Sequence, residues 1–182
     1  MPTAIPIGGG GSLSLRQLEP DDSEALRRLW SRLSPEARYR RFMIPLASLE
    51  ASHLERLLDI DHLDREAFAA LVDGEVVGMA SYARTESRRD VADLAVVVAD
   101  AWQRQGLATH LLSALAARAR KAGIARFAVM FQADNGAALG LLRRLMPTAR
   151  LDISQGILSG MVSIGETDDG GAGPTAYPSS VV

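Results

Sequence analysis

The chain has 182 residues, 47% hydrophobic and 23% charged, which suits one globular domain with a sizeable core. A formal net charge of −2 gives no general attraction to nucleic acid or anionic membrane, and no apolar run is long enough to span a bilayer. The lack of cysteine excludes a disulfide framework, a thiol nucleophile and a cysteine zinc site, and fits a cytoplasmic protein.

Residues 1–11 end in four glycines and show no basic segment followed by an apolar stretch, so a flexible tail without a secretion signal is expected. Ser12 to Leu18 reads as a short strand. After the turn Glu19-Pro20-Asp21-Asp22, Asp22 is placed to cap a helix to about Arg32, with Leu26, Leu29, Trp30 and Leu33 at helical spacing. Ser34 caps a second helix with Pro35 at its first position, and this helix stops before Pro45. A third short helix is predicted over Ser48 to Leu58. Ala67 to Val72 and Val76 to Arg84 flank Asp73-Gly74-Glu75 as a hairpin. Val91 to Ala99 is a near-continuous apolar run, as in a buried central strand. A long helix follows from about Gln105 to Ala122, with Leu107, Leu111, Leu115 and Ala119 on one face and Gly123 as its left-handed stop. Arg126 to Phe131 is a strand, Asp134 to Leu145 a helix, and Ala149 to Ser154 with Ile157 to Ile164 a last hairpin around Gln155-Gly156. Residues 166–182 are rich in Gly, Pro, Ser and Asp and read as a second flexible tail. Strand, long helix, strand implies a right-handed crossover. The expected domain (12–165) is therefore α/β: a mixed, mostly antiparallel sheet with one central parallel pair and helices on both faces.

The segment Val96-Val97-Val98-Ala99-Asp100-Ala101-Trp102-Gln103-Arg104-Gln105-Gly106-Leu107-Ala108-Thr109 carries the chemistry. A buried strand runs through a polar turn into a helix whose first turn holds Gly106 and Ala108. Free N–H groups at a helix start bind phosphate, small residues let it approach the backbone, and Arg104 adds a cation. There is no Gly-Lys-Ser/Thr as in a Walker loop, and one glycine stands where a dinucleotide fingerprint has three. The plain alternative is a helix start with a small residue for packing.

Gln103-Arg104-Gln105-Gly106-Leu107-Ala108 resembles the Gln/Arg-x-x-Gly-x-Gly/Ala motif of the GNAT superfamily of acyltransferases, and the element order from Leu13 to Gly165 is similar to that family's. Three further segments resemble the acetyltransferase domain of bacterial protein lysine acetyltransferases. These are Ser34-Pro35-Glu36-Ala37-Arg38-Tyr39-Arg40-Arg41-Phe42, Asp61-His62-Leu63-Asp64-Arg65-Glu66-Ala67 and Ala99-Asp100-Ala101-Trp102-Gln103. The resemblance implies acetyl-coenzyme A (acetyl-CoA) as co-substrate, no metal, and an amine acceptor. It implies that Gln103, Arg104, Gln105, Gly106, Leu107, Ala108 and Thr109 hold the pyrophosphate. Val96, Val97 and Val98 would run beside the pantetheine arm, because the two central strands splay apart in this fold. Asn135 matches the family asparagine near that arm; its plain alternative is a helix cap.

The resemblance also places Asp93 at the position of a catalytic glutamate in the lysine acetyltransferases. Aspartate is shorter by one methylene, about 1.5 Å of reach. Glu86 and Asp90, in the preceding turn, are alternatives as base. Many GNAT enzymes carry a tyrosine that protonates the leaving thiolate; the matching position here is Leu142.

His53, His62 and His110 form no His-x-x-x-His pair, and Asp59, Asp61 and Asp64 lack the turn glycine of a calcium loop. Arg38, Arg40 and Arg41 read as a solvated helix face. Trp102 reads as packing. Three functions stay open: a protein lysine acetyltransferase with an open polar groove near Asp93, a small-amine acetyltransferase with a closed acid-lined pocket, and a CoA-binding module with little catalysis. Either a monomer or a homodimer is compatible with the sequence.

Overall fold

A computed structural model describes residues 5–6, 12–147 and 149–164. The strands are β1 (Ile5–Pro6), β2 (Ser12–Gln17), β3 (Arg65–Val72), β4 (Glu75–Arg84), β5 (Val91–Val98), β6 (Arg126–Gln132), β7 (Asp152–Ser154) and β8 (Ile157–Ser163). They form one sheet in the order β1-β2-β3-β4-β5-β6-β8-β7. β5 and β6 are parallel, and every other neighbouring pair is antiparallel. The helices are α1 (Ser23–Ser31), α2 (Pro35–Phe42), α3 (Ala51–Leu57), α4 (Leu107–Lys121) and α5 (Gly136–Leu145).

This is the expected α/β architecture, with local differences. Ile5–Pro6, inside the expected N-terminal tail, pairs with Leu13 and Ser12 of β2. The expected C-terminal tail lies outside the described residues. Asp22 precedes α1 but its side chain makes no cap bond. Its carboxylate takes two 2.6 Å bonds from the Arg16 guanidinium instead, so an ion pair wins over the cap. Between β5 and α4, Asp100–Trp102 forms a 3₁₀ turn where a polar loop was expected.

The two hairpin turns follow from their residues. Asp73-Gly74 and Gln155-Gly156 all have positive φ, the twist that matches paired strands. Gly160 on β8 is required for a different reason. A Cβ there would collide with the Arg150 carbonyl oxygen, because residues 150–151 cross directly over the strand.

Two apolar clusters sandwich the sheet. On one face α4 and α5 pack Leu107, Leu111, Leu115, Ala119 and Leu142 against Tyr82, Ala92, Phe127 and Val162. On the other, α1 and α2 pack Leu26, Leu29, Trp30 and Phe42 against Met79 and Val97. Strand alternation puts Ala92, Leu94, Val96 and Val98 on the α4 side, and Asp93, Ala95 and Val97 on the α1–α2 side.

One buried charge ties the layers together. The Glu66 side chain on β3 has no exposed surface. Its Oε2 accepts from Arg118 Nε of α4 at 3.0 Å and from Gln17 Nε2 of β2 at 2.8 Å, and its Oε1 lies 2.9 Å from His62 Nδ1. Arg118 also donates to the His62 carbonyl. The Asp61–Ala67 segment thus serves as a bolt between sheet and α4. Removing one partner of a buried pair leaves the others uncompensated, so Glu66→Ala is expected to lower unfolding free energy by about 3–5 kcal/mol in a urea titration. Hydrogen bonding to Glu66 raises the His62 pKa above its ordinary value, with the Glu66 and Glu19 charges adding to the effect. A raised pKa means the imidazolium stabilises the fold fully below about pH 6.5 and loses that contribution as pH climbs through the native value. Urea midpoints taken from pH 5.5 to 9 should show this loss in the wild type and its absence in His62→Gln.

Candidate active site

The parallel pairing of β5 with β6 is short. Val91, Ala92 and Asp93 pair with Arg126, Phe127 and Ala128, and there the ladder stops. β5 stays paired with β4 as far as Val98, and β6 with β8 as far as Gln132. The two strands therefore diverge beyond Asp93 and Ala128, and the backbone edge of residues 94–98 is left without a partner strand. A cleft at the carboxyl ends of parallel strands is where α/β sheets take ligands.

Asp93 stands at the apex of this cleft, half-buried, with no hydrogen-bond partner among the described residues. Burial without a compensating donor raises its carboxyl pKa above the ordinary value. Asp90 contrasts with it: a close bond from Arg126 to its Oδ2 lowers its pKa and ties it into an ion pair. Glu86 is exposed in the β4–β5 turn. Of the three carboxylates weighed as base, Asp93 alone combines a position at the cleft with a free lone pair and a raised pKa.

Past the cleft the chain turns into α4. Arg104 and Gly106 have φ of 61° and 87°, and this left-handed geometry turns the backbone of the loop. The N–H groups of residues 104–108 donate to no described backbone acceptor, and bonding resumes with Thr109 and His110 to the Gly106 carbonyl. A hypothetical Cβ on Gly106 meets nothing within 4 Å, so the space in front of the helix start is open. Unpaired donors at a helix start, with open space beside Gly106, are the kind of arrangement that binds phosphate-type anions.

The other expected cofactor residues divide by role. Gln103 donates from Nε2 to the Val98 carbonyl at 3.1 Å and fixes the strand-to-loop corner. The Gln105 side chain donates to the Ala101 carbonyl, while its Oε1 is buried and unpartnered. Val96 packs toward α4 and Val97 toward α1, so these valines offer the cleft their backbone rather than their side chains. Leu107 is a core residue and Ala108 packs against the same core. Asn135 is the helix cap of the plain alternative: its Oδ1 accepts from Ala138 N at 3.1 Å and also from Arg40 Nη1 of α2 at 3.2 Å. Leu142 is buried in the α4–α5 core, so no acid stands there.

Two features had no local sequence signal. Arg144 of α5 donates to Thr109 Oγ1 at 3.2 Å and brings a second cation to the phosphate loop. Gln132, the last residue of β6, has a buried and unpartnered Oε1 while its Nε2 lies 3.0 Å from Met43 Sδ. With Arg40–Asn135, this contact carries the end of α2 across the cleft. Both depend on residues 35 to 95 positions apart in sequence. Among the described residues no group of three His, Asp or Glu side chains is placed to share a metal.

A mixed sheet with one splayed parallel pair, a donor-lined helix start at its mouth and a carboxylate at its apex defines a nucleotide-thioester acyltransferase of the GNAT class. The Acetyltransferase (GNAT) family model matches residues 23–146, and the chain belongs to that family. It is an N-acetyltransferase. It is 35% identical over 135 residues to the acetyltransferase PA5475 of Pseudomonas aeruginosa, covering 72% of this chain and 70% of that one. It is 28% identical to the acetyltransferase Pat of Mycolicibacterium smegmatis, covering 79% of this chain but 44% of that longer protein. The GNAT domain of S. lividans PAT superposes with a TM-score of 0.81 at 27% identity, over 89% of this chain and 96% of that one.

The loop geometry gives a direct expectation. A β-branched residue at the left-handed Gly106 is strained and pushes the donors out of line. Gly106→Val should weaken acetyl-CoA binding by at least about tenfold, and Arg144→Ala by about three- to tenfold, in calorimetry. Circular dichroism should show both variants folded.

Proposed function

We propose that the protein transfers the acetyl group of acetyl-CoA to the ε-amine of protein lysine residues, with Asp93 as general base. The observation that carries this reading is the unpaired carboxyl of Asp93 at the point where β5 and β6 part.

The unpaired N–H groups of residues 104–108 would bind the pyrophosphate, with Arg104 and Arg144 adding positive charge. The free edge of residues 94–98 would hold the pantetheine arm in the manner of an added strand. Acetyl-CoA, when bound, supplies the activated thioester. An N–H of this same edge would polarise the thioester carbonyl. A lysine must first lose a proton, which at pH 7.4 costs about 4 kcal/mol for a pKa of 10.4. Asp93 accepts that proton directly or through one water, and its raised pKa makes it a better match for the task than an ordinary carboxylate. Leu142 offers no acid to the leaving thiolate. A thiol pKa near 8.5 makes a thiolate a fair leaving group without one.

Two observations favour a polypeptide acceptor over a small polyamine or amino sugar. On the sheet face of Asp93, Met130 of β6 is 46% exposed, so the surface beside the base is open, although its exposed side chain is apolar where a polar groove was expected. A cavity of about 20 Å³ on the same side, between α1, α2 and the sheet, is too small for an amine substrate and is lined by Arg41 and apolar residues, with no carboxylate. The resemblance of Ser34–Phe42 and Asp61–Ala67 to protein lysine acetyltransferases, and the likeness to the GNAT domain of S. lividans PAT, support the same acceptor.

Thiol release with lysine peptides and a panel of small amines tests the assignment. The wild type should acetylate lysine peptides with kcat/KM at least tenfold above the small amines. Asp93→Ala should lower kcat/KM by about 10²–10⁴-fold with acetyl-CoA affinity kept. The acid limb of the wild-type pH–rate profile should lie above the usual aspartate value and vanish in Asp93→Asn. Unchanged turnover in Asp93→Ala would remove Asp93 as base.

A further inference from the structure

The sheet face that carries Asp93 is only partly roofed. α1 packs on β4 and α2 on β5, while Met130 of β6 stays exposed. Asp93 is the register partner of Ala128, and Ala128 of Met161 on β8, so the three side chains lie in one row on one face. The next row holds Met130 and Ser159. A small residue flanked by two methionines forms a shallow apolar ledge leading away from the carboxylate. Two strand spacings put Met161 about 10 Å from Asp93.

A cation rests on the far end of this ledge. Arg88, from the β4–β5 turn, lies with Nη1 3.6 Å from Met161 Sδ. Its neighbours are already neutralised: Arg89 pairs with Asp64 at 2.8 Å, and Asp90 pairs with Arg126. Arg88 makes no salt bridge among the described residues. Glu86 shares the turn and is exposed. Asp152, on the same face by its pairing with Ser159, stands one strand further out on β7.

The spacing suits a lysine. Its side chain reaches roughly 6 Å from Cα to Nζ, at about 1.25 Å of advance per bond. With Nζ at Asp93 its methylenes lie along the ledge, and its Cα stands short of Arg88. Side chains of the residues beside it in the polypeptide then come within reach of the guanidinium. Methionine suits such a surface because its thioether adapts to different stems.

We infer that the Met130–Met161 ledge and Arg88 select acceptor lysines with an acidic residue next to them in the polypeptide. This rests on the reading of the protein as a lysine acetyltransferase. The acidic neighbour supplies the charge that Arg88 lacks, and a basic neighbour meets repulsion. Arg88 acts on acceptor choice and not on proton transfer.

The test compares three peptides, identical except for Glu, Gln or Arg on both sides of one lysine, using the full chain at saturating acetyl-CoA. The wild type should favour the Glu peptide over the Arg peptide by about tenfold in kcat/KM, with the ratio falling as salt is raised. Arg88→Glu should invert the order with unchanged acetyl-CoA affinity, and Asp152→Asn should leave it. Equal kcat/KM for the three peptides in the wild type, or an unaltered preference in Arg88→Glu, would overturn the inference. Tight acetyl-CoA binding with turnover of none of the peptides would instead overturn the lysine reading, and this inference with it.

Discussion

The short parallel ladder between β5 and β6 is the constraint on which the molecule depends. Three residues of pairing hold the two halves of the sheet in register, and the divergence beyond them leaves a strand edge unpaired. An unpaired edge inside a domain is costly unless something supplies the missing hydrogen bonds. Here that edge leads directly into a helix start whose own donors are unpaired. The proposed binding of acetyl-CoA, whose arm carries amides and whose nucleotide carries a pyrophosphate, would satisfy both sets of groups.

Keeping that cleft open requires the rest of the fold to be braced. Glu66 joins β2, β3 and α4 through three polar partners, two strands from the cleft and level with Leu94 through Tyr82, on the α4 face of the sheet. On the cleft side, Ser34 donates from its N and Oγ to Asp100 at 2.9 and 2.8 Å. That contact fixes the start of α2 to the turn preceding the phosphate loop. The far end of α2 reaches Gln132 and Asn135. Helix α2 therefore spans from the loop to β6 and α5, and acceptor-side and cofactor-side residues share one rigid element.

The aspartates of the domain are sorted by partnership. Asp90, Asp64 and Asp22 each hold an arginine and have lowered pKa values for that reason. Asp93 has no such partner, and burial moves its pKa the other way. Asp93 is thereby the carboxylate left free for the base role proposed above. The same sorting leaves Arg88 as a cation available to a ligand at the edge of the ledge.

Asp93 entered as candidate base through the family resemblance, while the sequence by itself determined the element order from β2 onward, the single parallel pair and the candidate phosphate-binding helix start. These rest on local physics: apolar periodicity, turn glycines, and one strand–loop–helix junction whose donors are contiguous in the chain. It read Asp22 as a cap and Ile5–Pro6 as tail, because a distant partner decides each case: the Arg16 guanidinium for one and β2 for the other. It gave His62 no metal partner, and only the fold brings its side chain to Glu66. Arg144 at the phosphate loop, Arg40 at Asn135, and the row of Asp93, Ala128 and Met161 with Arg88 at its end were decided only by tertiary structure. Side chains meet there across strands and helices far apart in the chain, and sequence spacing carries no record of which edges a sheet brings together.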